Sequence, residues 1–592
     1  MKFKFLLNII MLSAMCSNAQ VLPAARSVNW SLAGYRGVIP DYTTVVNISN
    51  FGGAGNGTTP NDTAFTNAVN SLSGADGVIY FPSGTYLFNS SISMRSGLIL
   101  RGFSSDSTKL KFDLGPVSTS NSINISGTAA STVSALTSNA NKDSSFVNVA
   151  DASGFTAGDY LKLSFNDSSI LFSSWAYGTV GQIVKIASVA GNKIVLESPL
   201  RMDYDLSKNP KVTKLNMKTG VGIECLYIQR ADATAGQTSN IAYNYAAQCW
   251  VSGIESYMCN FAHVEISSST NISIKGSYFH EAFAYGGNGQ GYGIACQLTS
   301  GECLTENNIF RHLRHSMVLQ AGANGNVYCY NYSIDPYWTE PNLPSNAAGD
   351  MLLHGNYVYA NLYEGNIGQN IVIDDSHGKN GPYNTYFRNR AELYGIFMNT
   401  NPASDNQNLI GNEITNAGFT LGNYYINGTG HFQFGNNVRG TIYASGTNTL
   451  PDVSYYYSSV PSFLQSMPNW PSVGIPRTIN TGTIPAKDRY LAAAYTTCNS
   501  ALTTHVIENN SADNGLKIFP NPADNRIYIQ DSGNTNTPAS IVIYDCLGNI
   551  AGRYSITASL QSIDLSSYAR GIYIIKIETE GKNCKPQKLI LQ

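Results

Sequence analysis

The sequence predicts an all-β chain: a parallel β-helix with an N-terminal capping helix and a β-rich insertion, followed by a small C-terminal β-sandwich. Three observations predict it. Short β-branched and aromatic triplets such as Ile272-Ser273-Ile274 and Ile371-Val372-Ile373 recur between Gly, Asn and Ser, without 3.6-residue periodicity. A 23-residue repeat runs through the centre of the chain. The 54 glycines and 37 tyrosines suit a β protein with many tight turns, and 592 residues exceed one ordinary domain.

Asn308, Asn331, Asn366, Asn389 and Asn412 carry the repeat, at steps of 23, 35, 23 and 23 residues. The long step contains Asp335-Pro336-Tyr337-Trp338-Thr339-Glu340-Pro341, a Pro- and aromatic-rich loop of about 12 extra residues. His354-Gly355 and His377-Gly378 repeat the 23-residue step. One such period is one coil of a parallel β-helix, stacked on the next at about 4.8 Å. Residues one period apart are then vertical neighbours. Asn at a fixed turn position tolerates the left-handed conformation and can form side-chain ladders.

Taken in chain order, residues 1–19 read as a signal peptide. Lys2 and Lys4 are basic, Phe5 to Ala14 form a short apolar core, and Ser17-Asn18-Ala19 offers a cleavage site. Cys16 raises a lipoprotein alternative, against which Met15 stands where a small residue is needed. Residues 20–115 form the N-terminal cap and first coils, with a short helix after Asn61-Asp62-Thr63 that sets Phe65, Ala68, Val69 and Leu72 on one face. A β-rich insertion covers 116–212, and coils bearing the expected cleft cover 213–440. A loose closing segment and linker span 441–512. Hairpin-spaced strands fill 513–592. Nine of the ten cysteines survive cleavage, so at least one is free; without a CxxC pair, they read as small buried side chains with one or two disulfides.

Charge excludes some functions. Charged residues make up 12%, against a usual ~25%. Net charge is −2, which speaks against nucleic acid as a partner. No segment reaches about 18 apolar residues, so no stable membrane insertion is expected. A low-charge surface rich in Tyr and Asn suits sugar polymers, met by stacking and neutral hydrogen bonds.

Two segments resemble known families. Phe51-Gly52-Gly53-Ala54-Gly55-Asn56-Gly57, Asn61-Asp62-Thr63, Tyr80-Phe81-Pro82-Ser83-Gly84-Thr85-Tyr86 and Gly97-Leu98-Ile99-Leu100-Arg101-Gly102 stand in the order of the pectate lyase superfamily, as in rhamnogalacturonase- and epimerase-like proteins. The resemblance covers residues 45–103, with Asn56 replacing the usual Asp and Thr59-Pro60 lengthening the next turn. It implies a right-handed parallel β-helix, a fold that hosts many chemistries. Phe519-Pro520-Asn521-Pro522-Ala523, Gly571-Ile572-Tyr573-Ile574-Ile575-Lys576-Ile577 and Lys588-Leu589-Ile590-Leu591-Gln592 resemble the type A sorting domain of the type IX secretion system. That resemblance implies a Bacteroidetes protein carried through the outer membrane by that machinery, to be secreted or held at the cell surface.

Six of eight histidines lie between 263 and 377, and the repeat register gathers them into a cleft. The expected catalytic set is Asp350, Asp374, Asp375, His354 and His377. His354 and His377 stack one coil apart, and so do Asp350 and Asp374, 24 residues apart, as carboxylates that split their pKa values into an acid and a base. Arg311, His312, Arg314, His315, Lys379, Arg388, Arg390, Tyr337 and Trp338 are expected to bind substrate, the last two as a stacking wall. Asp374-Asp375-Ser376-His377-Gly378 partly resembles the Asp-Asp and His-Gly elements of polygalacturonase-type hydrolases, merged here onto one coil, with Arg388-Asn389-Arg390 in place of their Arg-x-Lys. Polysaccharide hydrolysis by paired carboxylates is the favoured reaction. The alternatives are β-elimination on a uronate polymer and a non-catalytic sugar-binding or structural β-helix. From 263 to 412 there are twelve acidic and six basic residues, a balance that does not draw an anionic polymer. Bound Ca²⁺ could reverse it, but no metal ligands are assigned.

Overall fold

The computed structural model describes residues 21–399, 402–465, 470–475 and 478–498, and within the C-terminal unit 516–519, 523, 525–531, 539–545, 549–556, 560–579, 582–583 and 587–591. The expected signal peptide and Cys16 lie outside the described residues, as does the stretch 499–512 of the expected linker. Two compact units divide near Thr503.

The first unit is a parallel β-helix with three faces. Thirteen strands build the first face, including Leu304–Glu306, Val327–Cys329, Leu362–Glu364 and Thr385–Phe387. The second face follows each of these after a bend, as in Ile309–Arg311 and Tyr332–Ile334. The third face holds Tyr292–Gln297, His315–Leu319 and Met351–His354. Ile367–Asp374 and Arg390–Met398 run through the second bend and join these two faces into one sheet. Inward residues of successive coils stack into one continuous core from Ile48 to Val438. Within it the rings of Tyr363 and Tyr386 lie 5.1 Å apart and nearly parallel.

Asparagine controls the first bend. Asn308, Asn331, Asn366, Asn389, Asn412 and Asn436 form a buried ladder, each amide donating to the next side-chain oxygen at 2.9–3.1 Å. The left-handed residue is not the ladder Asn, as expected, but the one before it: Asn307, Tyr330, Gly365, Arg388, Gly411 and Gly435. The bend places the Asn side chain inside, and the preceding residue absorbs the turn.

The helix Asp62–Ser71 buries Ala64, Phe65 and Ala68 in the same core as the first coils. Asn61 does not cap it through its side chain. It bonds Ala54, Thr59 and Leu87 instead, tying the cap loop to the next coil. The insertion begins later than expected, because Ile123–Ser126 pairs with Ile241–Asn244 as a coil strand. Its six antiparallel strands run from Thr128–Ala135 to Lys211–Asn216 around a core of their own. A buried Arg201–Glu302 pair at 2.7 Å and a Tyr359 hydroxyl donating to the Gly181 carbonyl at 2.6 Å fix it to the coils.

The closing segment is packed rather than loose. After the terminal hairpin Asn436–Val438/Thr441–Tyr443, the chain returns along the outside of the stack. Tyr455 stacks on Phe387 at 4.2 Å, the helix Pro485–Leu491 brings Arg489 to Asn307, and Cys498 is disulfide-bonded to Cys225. Cys249, Cys259, Cys296, Cys303 and Cys329 are free and buried.

The second unit is a β-sandwich. One sheet orders Leu516–Phe519, Arg526–Asp531 and Leu560–Asp564; the other centres on Ala539–Tyr544 and Gly571–Thr579. Ile527, Ile541, Ile563, Ile575 and Leu589 fill its core. Among the described residues, no helix is long and apolar enough to cross a membrane.

Candidate active site

The third face presents a cleft of about 670 Å³. His315 enters from the first residue of His315–Leu319, His354 from the last of Met351–His354, and Asp374 from the end of Ile367–Asp374. Arg314 precedes His315 and also lines the cleft. The loop inserted between Ile334 and Met351 supplies Trp338, Glu340 and Leu343 to one wall. Leu352 and Val372 line its floor strands, and Tyr394, Phe397, Asn399 and Tyr425, from later coils, also border it.

Asp374 is cross-strand partner to His354, and its Oδ2 lies 2.6 Å from His354 Nδ1. Asp374 also accepts from Ser376 Oγ at 2.5 Å and from Asn399 Nδ2 at 2.6 Å. Burial alone would raise its pKa, but the His354 hydrogen bond and charge, with Ser376, hold it well below the ordinary carboxylate range. Asp374 is therefore ionised at neutral pH. With Nδ1–H donating to that carboxylate, the Nε2 lone pair of His354 is free to take a proton.

The His377 ring lies 4.8 Å from that of His354, edge to face. It sits beside Ser173 Oγ, 3.4 Å from Nδ1, and against Trp175, both from the insertion. Burial and the His354 charge lower its pKa. His315 bonds the Gly349 carbonyl through Nδ1 at 3.0 Å. Burial, then Arg314 and His354, push its pKa well down. Both rings are neutral donors or acceptors beside the His354–Asp374 pair. Arg314 donates to the Gly286 carbonyl at 2.8 Å, and its buried Nε has no partner among the described residues.

Asp350 is not in the cleft. The register pairs Met351 with Ile371, which sets Asp350 beside Asn370 rather than Asp374. It is fully buried, accepting from Ser333 Oγ at 2.5 Å and from the Gln369 and Asn370 amides at 2.8 Å each. Its role is to satisfy donors inside the bend. Burial pushes its pKa up to about 6, against which those hydrogen bonds act. A carboxyl whose pKa is higher folded than unfolded binds its proton more tightly in the native state. Its contribution to stability therefore falls as pH rises from about 4 through about 6, by roughly 3 kcal/mol. Asp350→Asn is expected to flatten that part of the stability–pH curve, as read by urea unfolding at pH 4 and 7.

The remaining expected residues divide. Asp375 is buried and does not line the cleft. Arg311 pairs with Glu281 of a neighbouring coil at 3.1 Å, while His312 bonds Asp335 at 2.8 Å and stacks on Tyr337 at 4.7 Å, which braces the base of the inserted loop. Trp338 lines the cleft, Tyr337 does not. Arg388 and Arg390 are structural, not substrate ligands. Arg388 is the left-handed residue of the first bend and pairs with Asp452 of the closing segment at 2.7 Å; Arg390 is buried against Glu413 at 2.5 Å. Lys379 borders a second hollow and pairs with Asp405 at 3.2 Å. Sequence reasoning missed Ser376 and Asn399, although Asn399 lies 25 residues past Asp374, about one coil. It missed Ser173 and Trp175 because the insertion carries no repeat. Among the described residues, no group of three or more His, Cys, Asp and Glu is placed to hold a metal.

Fold and cleft define a parallel β-helix with a histidine-, arginine- and carboxylate-bearing groove on its third face. Residues 45–162 match the family described as rhamnogalacturonase A/epimerase, pectate lyase-like, and residues 517–592 match the secretion system C-terminal sorting domain. The sorting domain marks the chain for the cell surface or beyond. Similar solved structures include the tailspike protein gp49 of Pseudomonas phage LKA1, at 17% identity and a TM-score of 0.46, covering 62% of this chain and 63% of that one. The A-module of mannuronan C-5 epimerase AlgE6 from Azotobacter vinelandii matches at 13% identity and a TM-score of 0.29, over 65% and 98% of the two chains. A hyperthermoactive exopolygalacturonase from Thermotoga maritima matches at 12% identity and a TM-score of 0.33, over 69% and 95%. The chain thus spans less than two thirds of the tailspike's length. No curated protein matches it.

Proposed function

We propose that the protein, exported by the type IX machinery, cleaves an acidic, uronate-containing polysaccharide by β-elimination. The observation that carries this reading is the His354–Asp374 pair at 2.6 Å, opening into a cleft that also holds Arg314. His354 Nε2 takes the proton on the carbon next to the uronate carboxyl. The electron pair forms a carbon–carbon double bond, and the glycosidic C–O bond on the next carbon breaks. Arg314 neutralises the uronate carboxylate, which lowers the barrier to forming the carbanion-like transition state. His377 is a neutral side chain able to donate a hydrogen bond to the leaving oxygen, whereas His315 spends its one N–H on the Gly349 carbonyl.

Paired-carboxylate hydrolysis, the favoured reaction from sequence, loses its second member. Asp350 is enclosed in the wall, and Asp374 is committed to His354. The acidic excess over 263–412 is not an argument against an anionic substrate either. Glu302, Glu306, Asp350 and Glu364 are buried, paired or hydrogen-bonded away from the cleft. Glu340 supports hydrolysis as a second reading, since it adds a carboxylate to the cleft rim.

A panel of acidic and neutral polysaccharides, assayed for ultraviolet absorbance of the unsaturated product and for reducing ends, separates the readings. Elimination gives both signals together on a uronate polymer. Reducing ends without absorbance would replace it with hydrolysis by Asp374 and Glu340. Neither signal would leave a binding protein. Loss of activity with EDTA would add a divalent cation to the site.

A further inference from the structure

His377 does not line the cleft, which Ser376 borders. On its far side lies a second hollow of about 560 Å³, bordered by Phe172, Tyr357, Gly378, Lys379, Pro382 and Asp405. His377 stands between the two, its ring against His354 on one side and Trp175 on the other. The insertion forms the outer wall of this hollow with Ser169 to Phe172, and its chain runs on from there past His377 to Gly178. Phe172 on that wall is 70% exposed, and Trp175 and Tyr177, a few residues further on outside the hollow, are each 51% exposed. Exposed aromatics in such density mark an interaction surface on a soluble protein.

Their backbone is not free to fold them away. The Phe172 and Ser173 amides both donate to Asn356 Oδ1, at 3.2 and 3.1 Å. The Gly178 and Val180 amides donate to the Asp167 carboxylate, at 2.7 and 2.9 Å. The stretch is thus pinned to the coil carrying His354 and to its own sheet, with its rings held outward. Rigid, outward rings bind at a low entropic cost. Opposite them the hollow offers Lys379, Asp405 and the Asn406 backbone turn. An apolar ring face on one side and charged hydrogen-bonding groups on the other match a pyranose, which has a C–H face and a hydroxyl or carboxylate edge.

The geometry points to a substrate groove that continues from the cleft over His377 into this hollow, where the insertion grips further sugar units of the same acidic polysaccharide chain. Phe172 and Trp175 stack on the sugar rings, and Lys379 meets a carboxylate. The inference rests on the polysaccharide reading of the cleft but not on the reaction class. It gives the insertion a function: it converts a short cleft into a site that measures chain length.

The test uses the full chain. Wild type, Phe172→Ala, Trp175→Ala, Trp175→Phe and His354→Ala are run through native gels containing polygalacturonate or alginate, and assayed on each polymer and on its size-fractionated oligosaccharides. Phe172 is exposed, so its truncation does not touch the core; melting curves check this. Phe172→Ala is expected to abolish gel retardation and to lower kcat/KM about tenfold on polymer, with a smaller loss on the shortest oligosaccharide cleaved. Trp175→Phe keeps retardation that Trp175→Ala loses, and His354→Ala keeps retardation without cleavage. Phe172→Ala with wild-type retardation and an unchanged dependence on chain length overturns the groove. So does a wild type that neither gel retards. A wild type that is retarded but cleaves nothing overturns the reaction proposed above and leaves the groove standing.

Discussion

His354→Ala is expected to lower kcat on the cleaved polysaccharide by about 10²–10⁴-fold, the usual contribution of a positioned general base. The ring borders the cleft rather than the apolar core, so the melting temperature changes little beside that loss. Asp374→Asn is expected to lower kcat too, by a different route. An amide offers Nδ1 either a donor or a neutral acceptor, so the ring loses both its fixed tautomer and the charge that favours the imidazolium. Asp374 is held ionised far below neutrality, so it does not supply the acidic limb of the kcat/KM profile. Stopped assays of wild type and both variants on the same polymer read these losses. Full activity in His354→Ala or in Asp374→Asn would remove the pair from the mechanism.

The sequence disclosed the stack but not every register within it. Asn308 to Asn412 were legible because a ladder needs the same amide at the same bend on every coil, and that demand writes itself into the chain at a constant period. The Asp350–Asp374 pairing failed because a coil has no single length. Between Met351 and Ile371 the step on the third face is 20 residues, since Ile367–Asp374 passes through the second bend without a break. One bend earlier, Leu362 pairs with Thr385 at 23. The histidines came out adjacent for another reason than the one that placed them. His354 pairs with Asp374, and the turn closed by the Gly378 amide on the Asp375 carbonyl swings His377 back over it. Arg388 and Arg390 looked like substrate ligands because charge is rare in this chain. Their partners, Asp452 and Glu413, are distant in sequence and show no period. The same holds for Trp175 and Ser173, which reach the site through tertiary packing of the insertion.

Asn366→Ala is expected to destabilise the β-helix by about 3–5 kcal/mol, far more than its one lost amide suggests. Asn366 is fully buried, and its side chain makes four hydrogen bonds. Its Nδ2 donates to the Tyr328 carbonyl at 2.8 Å and to Asn389 Oδ1 at 2.9 Å. Its Oδ1 accepts from the Asn331 backbone amide at 3.0 Å and from Asn331 Nδ2 at 2.9 Å. Alanine leaves two donors of Asn331 and the Tyr328 carbonyl unpaired in the core, where water cannot replace the lost partner. Each such orphan costs about 1–3 kcal/mol. Asp in the same place keeps the acceptor but faces two oxygens with a buried charge, so its carboxyl is protonated at a pH well above the unfolded value. Asn366→Asp is therefore expected to be more damaging at pH 7 than at pH 4, where the protonated acid donates to one of those oxygens. The ladder also couples its members: once one rung is broken, its neighbours have already lost partners, and Asn366→Ala/Asn389→Ala costs less than the sum of the single changes. Urea unfolding of the two single variants and the double variant measures that coupling. Losses that simply add would mean the rungs act alone, and that stacking of the inner aromatic and aliphatic rows, not the amide column, sets the register of the coils.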